Sequence, residues 1–174
     1  ELSDEWKQNG LATARFEING TGSRNNPLRR RLRRPFSGDE IFFRYGIRYD
    51  ERSIDMPPTG DGEFFVFWLD NREGDDASTH SGGIPNVGIH VSEDGNRFMA
   101  RFSPGSQKFA ARLVGDHEYL VVGRLWKSTS GADESFDRLD LWVDFSGRAD
   151  KLDRTQPHIR TESPKAISSM AWIG

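Results

Sequence analysis

Apolar side chains recur at every second position over much of the chain. Between Tyr119 and Phe145 two such runs flank a polar loop containing Ser130, Gly131, Asp133 and Glu134. In the first, Tyr119, Val121, Gly123 and Leu125 alternate with Leu120, Val122, Arg124 and Trp126. In the second, Leu139, Leu141, Val143 and Phe145 alternate with Arg138, Asp140, Trp142 and Asp144. Successive side chains on a strand point to opposite sides, so this period predicts a β-hairpin with one face on a core and the other, carrying charges and a tryptophan, toward water.

The same reading extends along the chain. Ala12, Ala14, Phe16 and Ile18 predict a first strand ending at the Asn19-Gly20 turn, with Trp6 anchoring the polar N-terminal stretch onto a sheet edge. Ile41 to Tyr49 is an alternating strand, and Glu63 to Leu69 is apolar on both faces, as in a central strand. Val87 to Val91 and Phe98 to Phe102 form a second hairpin around Asp94-Gly95. Phe109 to Leu113 continues the meander, Asp150 to Pro164 is a polar loop, and Ile167 to Ile173 closes the chain. About ten strands and no sustained helical period predict one all-β domain over residues 1–174, a two-sheet antiparallel sandwich.

Composition shifts this picture in three respects. Mean hydropathy is low at -0.71, yet 12 Phe, 5 Trp and 3 Tyr supply large side chains, so the core is expected to be aromatic. A net charge of -3 argues against a general nucleic-acid or anionic-membrane binder, and no apolar run approaches the 18 residues or so that would cross a bilayer. The absence of cysteine removes disulfides, thiolate metal sites and thiol nucleophiles. The chain begins at Glu1 without Met, as expected of a mature product or an excised segment, and its sequence leaves the oligomeric state open.

Several stretches carry candidate chemistry. Arg24, Arg29, Arg30, Arg31, Arg33 and Arg34 form either a basic patch for phosphate, sulfate or acidic polysaccharide, or an edge strand whose charges discourage sheet-to-sheet aggregation. Asp70, Asn71, Glu73, Asp75 and Asp76 offer hard oxygen ligands for a structural calcium, without the spacing of an EF-hand; a solvated loop is the alternative. Asn19-Gly20-Thr21 is a glycosylation sequon. If apolar alternates point inward, Arg44, His90, Arg101, Arg124, Trp126, Asp140 and Trp142 point outward and combine aromatic platforms with groups that hydrogen-bond hydroxyls. Pairing residue 126 with 138 would set Arg124 opposite Asp140 and Val122 opposite Trp142. That geometry suits a sugar site, but a cross-strand ion pair with Trp142 packed on Val122 beneath a loop is the more ordinary arrangement of a sheet.

The runs VGIHVSEDGNRFMARF, YLVVGRLWKS and FDRLDLWVDF, ending in AISSMAWIG, resemble the LamG-like jelly-roll domains of the concanavalin A-like lectin and glucanase superfamily, in particular those of secreted or surface proteins of environmental bacteria. The resemblance runs from about Ile41 to the C-terminus, and Asp144-Phe145 departs from the Asn-Pro common after Leu-Trp-Val. It implies a concanavalin A-like jelly roll located outside the cell or on its surface. It also implies carbohydrate or glycoprotein binding in some relatives, calcium in some and glycoside hydrolysis in others. Hydrolysis of that type needs two carboxylates about 5 Å apart on one strand face. Here Asp137 lies on the opposite face from Asp140 and Asp144, which are themselves roughly 13 Å apart along an extended strand. The expectation is therefore a non-catalytic module without a cofactor that binds carbohydrate or surface polymer through a concave face or edge loops. A structural adhesion or spacer module is the alternative, and an atypical glycoside hydrolase ranks third.

Overall fold

The computed structural model describes residues 2–8, 11–14, 30–49, 62–71, 83–103, 107–144, 152–163 and 167–173. Among these residues there are twelve strands and no helix. They are β1 (Leu2–Gln8), β2 (Leu11–Ala14), β3 (Arg30–Phe36), β4 (Glu40–Arg48), β5 (Gly62–Asp70), β6 (Ile84–Val91), β7 (Arg97–Ser103), β8 (Lys108–Arg112), β9 (Glu118–Trp126), β10 (Arg138–Val143), β11 (Ile159–Glu162) and β12 (Met170–Ile173). Every pairing is antiparallel. β1 and β2 pair with each other, a four-stranded sheet runs β11-β10-β9-β4, and a six-stranded sheet runs β3-β12-β5-β6-β7-β8.

The two larger sheets close on one apolar cluster, which makes this part of the chain a β-sandwich. Leu69, Ile84, Val87, Ile89 and Phe98 enter the cluster from the six-stranded sheet, and Val121, Leu125, Leu139, Leu141 and Val143 from the four-stranded one. On β9 and β10 these are alternate residues, so the alternation in the sequence marks which side chains enter this cluster, although the opposite face of β10 is buried as well. Burying each such side chain contributes about 1.5–3 kcal/mol, which is why register is so tightly held: a slip by one residue would turn the whole set outward.

Several boundaries differ from the sequence pattern. The stretch expected to be a polar loop from Asp150 to Pro164 contains β11, whose Ile159 and Thr161 are buried while Arg160 and Glu162 are exposed. Four residues are too short a run to register as a period, and the strand exists because β10 offers it an edge. The closing strand begins at Met170 rather than Ile167, and β1, which has no alternating apolar pattern, pairs with β2 across a register shift. The side chain of Trp6, the Asn19-Gly20 turn and the sequon lie outside the described residues.

Where β4 meets β9 the aromatic core requires a glycine. Phe43 stands directly across from Gly123, and its ring occupies the space a Cβ at position 123 would need. Phe43 also packs on the main core, so the ring has nowhere cheap to go. Gly123→Ala is therefore expected to lower stability by about 1–3 kcal/mol in denaturant unfolding, and adding Phe43→Leu should recover part of the loss. An alanine variant as stable as the parent would show that the ring moves freely.

Candidate functional site

Side chains that do not enter the sandwich core line the other face of the four-stranded sheet, and strand register sorts them into rows. Glu40, Trp126, Arg138 and Glu162 form one row; Phe42, Arg124, Asp140 and Arg160 the next; Arg44, Val122 and Trp142 the third. Arg124 thus lies across from Asp140, and Val122 across from Trp142.

At the centre sits Asp140, fully buried at 0% exposure. Leaving water with a charge costs several kcal/mol unless the oxygens are satisfied, and here they are. Arg160 donates from Nε at 2.6 Å and from Nη2 at 2.9 Å, Trp126 donates its indole N–H at 2.9 Å, and Arg124 Nη1 stands 3.9 Å away. Bonding to the carboxylate raises the pKa of the Arg160 guanidinium, against the opposing effect of its partial burial.

The network continues outward. Arg124 donates to Glu40 from Nε at 2.8 Å and pairs with it through Nη2 at 2.7 Å, while its guanidinium lies 4.4 Å from the centre of the Trp126 ring. Arg154 reaches the same Glu40 carboxylate at 3.1 and 3.2 Å, crosses Phe42 at 5.1 Å, and accepts a hydrogen bond at its carbonyl from Arg160 at 3.0 Å.

Arg154 belongs to a segment folded back over the sheet. Leu152 packs with Val122, Trp142 and Phe42 in a second apolar cluster, and the Trp142 indole N–H donates to the carbonyl of Asp153 at 3.1 Å. Asp153 holds the segment in its turn by accepting from the backbone N–H of Thr155 at 2.9 Å and from its hydroxyl at 2.6 Å. These bonds hold its carboxyl below the usual carboxylate range, the Thr155 hydroxyl contributing most. Trp142 and Asp140 therefore project from the expected face but are buried there rather than facing water, because the chain supplies its own cover.

Candidate residues from the sequence fall in two places. Arg44, Arg124, Trp126, Asp140 and Trp142 share the four-stranded sheet, where Arg44 is exposed near its edge. His90 and Arg101 lie on β6 and β7 of the other sheet, on the side away from Ile89 and Phe102, so the sandwich separates them from the rest. His90 packs against Phe109 there in a tilted arrangement, ring centres 4.9 Å apart. Of the proposed metal ligands, Asp70 is buried and accepts from the backbone N–H of Asn71 at 2.6 Å, and Asn71 is exposed. Glu73, Asp75 and Asp76, with His80, lie outside the described residues; among the described residues no three His, Asp or Glu side chains gather to hold a metal.

Lys127 was not legible as important. It is buried, donates from Nζ to the carbonyls of Ser37 at 2.9 Å and Gly131 at 2.7 Å, and lies 4.8 Å from the Phe136 ring centre. It thereby ties the β3–β4 turn to the β9–β10 loop. Asp137 anchors that loop's other end by accepting from the Ser128 backbone N–H at 2.8 Å and hydroxyl at 2.6 Å. A lysine beside a polar loop gives no sequence signal of burial. Arg160 likewise carries no local signal, because its stretch has the composition of a polar loop.

Chemically the face is closed. Both Asp140 oxygens are engaged by fixed donors, and Glu40 is shared by two arginines. Asp144, past the end of β10 with φ of 61°, pairs instead with His117 at 3.1 Å on the surface. Comparison with known proteins returned no match to a family model, to a curated protein or to a solved structure.

Two outcomes follow. Asp140→Ala leaves the Trp126 N–H and the Arg160 Nε without their acceptor, while Arg124 keeps Glu40, and should cost about 1–3 kcal/mol in denaturant unfolding, whereas Arg154→Gln, on an exposed pair, should cost under about 1 kcal/mol. Because the Asp153 carboxyl is held low, its contribution is complete above the ordinary carboxylate range and is lost as pH falls through its lowered value. Acid titration should therefore release Trp142, seen as a fluorescence change before global unfolding, and Asp153→Asn should remove that step. A titration unchanged by this substitution would disprove the link.

Proposed function

We propose that the chain is a non-catalytic β-sandwich module, LamG-like in character, that works as an adhesion or spacer unit of a larger protein outside the cell or on its surface. What supports the reading above all is the self-covered face of the four-stranded sheet. The aromatic and charged groups most like a sugar platform spend their donors and acceptors on one another, and Leu152 occupies the apolar ground beside Trp142. A module that must transmit position benefits from such cross-strand ties, since a buried and fully bonded polar network resists rearrangement. A sugar site on this face, the second reading, would require residues 152–156 to leave Trp142 and the ligand to displace arginines from Asp140 and Glu40.

The test is a thermal-shift and calorimetric screen of the chain against neutral mono- and oligosaccharides, with and without calcium. No saturable heat and no change in unfolding midpoint are expected. Saturable binding of one sugar that disappears in a folded Trp126→Ala or Trp142→Ala variant would replace the spacer reading with the lectin one.

A further inference from the structure

Positions 24–38 hold six arginines, no lysine and no acidic residue, in a chain whose net charge is -3. The structure places the last part of this run on β3, the outermost strand of the six-stranded sheet, whose one neighbour among the described strands is β12. Leu32 and Phe36 hold the strand by packing on the core, and Arg31, Arg33 and Arg34 are exposed. The contrast with the other sheet is informative. Arg124, Arg138, Arg154 and Arg160 each pair with a carboxylate, whereas Arg31, Arg33 and Arg34 make no ion pair with any described residue. Trp172, directly across from Arg31, carries that guanidinium 5.9 Å from its ring centre and so limits where it can wander.

We propose that this edge docks a linear polysaccharide bearing carboxylates. The inference deepens the module reading by naming what the unit adheres to. Three observations bear on the ligand class. The run uses arginine throughout, whose planar fork matches a carboxylate with two parallel hydrogen bonds where lysine offers a point charge. Arg31, Arg33 and Arg34 are all exposed within four successive residues of the edge, which offers several cations to a chain-like ligand rather than a single pocket. The strand's backbone is a poor template for an added peptide strand: Pro35 lacks an N–H, and register with β12 breaks between Met170 and Trp172. Recognition here therefore runs through side chains. The net negative charge of the whole chain does not prevent it, because at physiological salt charges more than about 8 Å away are largely screened.

Affinity chromatography of the chain on immobilised polygalacturonate, neutral dextran, dextran sulfate, polyphosphate and polyglutamate tests the assignment. Retention on polygalacturonate that weakens as salt rises, with none on dextran, is expected. Substituting Arg31, Arg33 and Arg34 together by Gln should weaken retention about tenfold or more, while Arg44→Gln, an exposed arginine on the other sheet, should change nothing. Should the triple variant aggregate for want of edge charge, Arg33→Gln alone should still lower retention measurably. Equal retention of the substituted and parent chains, no retention on polygalacturonate, or stronger retention on dextran sulfate, polyphosphate or polyglutamate would each overturn the proposal. Failure here with an unchanged unfolding midpoint removes this site alone; the module reading falls only to neutral-sugar binding at the Trp126 and Trp142 face.

Discussion

The two-residue period of β9 and β10 is the constraint on which the structure depends. β9 pairs with β4 on one side and β10 on the other, so its register fixes which side chains from all three strands meet the core. Once Val121, Leu125, Leu139 and Leu141 are committed inward, Arg124, Trp126, Asp140 and Trp142 have no choice but the other face. Pairing of apolar alternates and stacking of polar ones are thus one event seen from two sides.

That commitment creates a problem which the rest of the four-stranded sheet resolves. Asp140 is placed among large neighbours at the centre of its face, and a carboxylate without partners there would be costly. β11 brings Arg160 to it, β9 brings the Trp126 indole, and Arg124 bridges toward Glu40 on β4. Removing such a network in favour of apolar residues could leave the fold as stable, so its presence argues for a single defined arrangement of the four strands more than for extra stability. The segment around Leu152 completes the arrangement by covering Trp142 and the apolar ground beside it. On the six-stranded sheet the edge strand β3 keeps Arg31, Arg33 and Arg34 exposed.

Much of this was legible in advance. The β9–β10 hairpin, a central strand at Glu63–Leu69 and the inward set from Ile89 to Leu141 follow from periodicity, and an edge strand was one of two readings of the arginine run. The candidate site was legible only in part. Sequence placed Arg124 opposite Asp140 and Trp142 beside Val122, and left open whether a loop covered them. It did not find Arg160, Lys127 or the ring of Phe43 over Gly123, because each owes its role to a partner 20 to 90 residues away.

The division has a physical cause. Alternation is a property of one strand, because the backbone itself turns successive side chains to opposite sides, so the chain alone determined an all-β structure, its main strands and the inward or outward sense of most residues. Whether an outward side chain meets water depends on what other segments lie above it. Those contacts join distant parts of the chain and leave no local period, so only the tertiary structure decided that Asp140 and Trp142 are covered and that the β3 arginines are not.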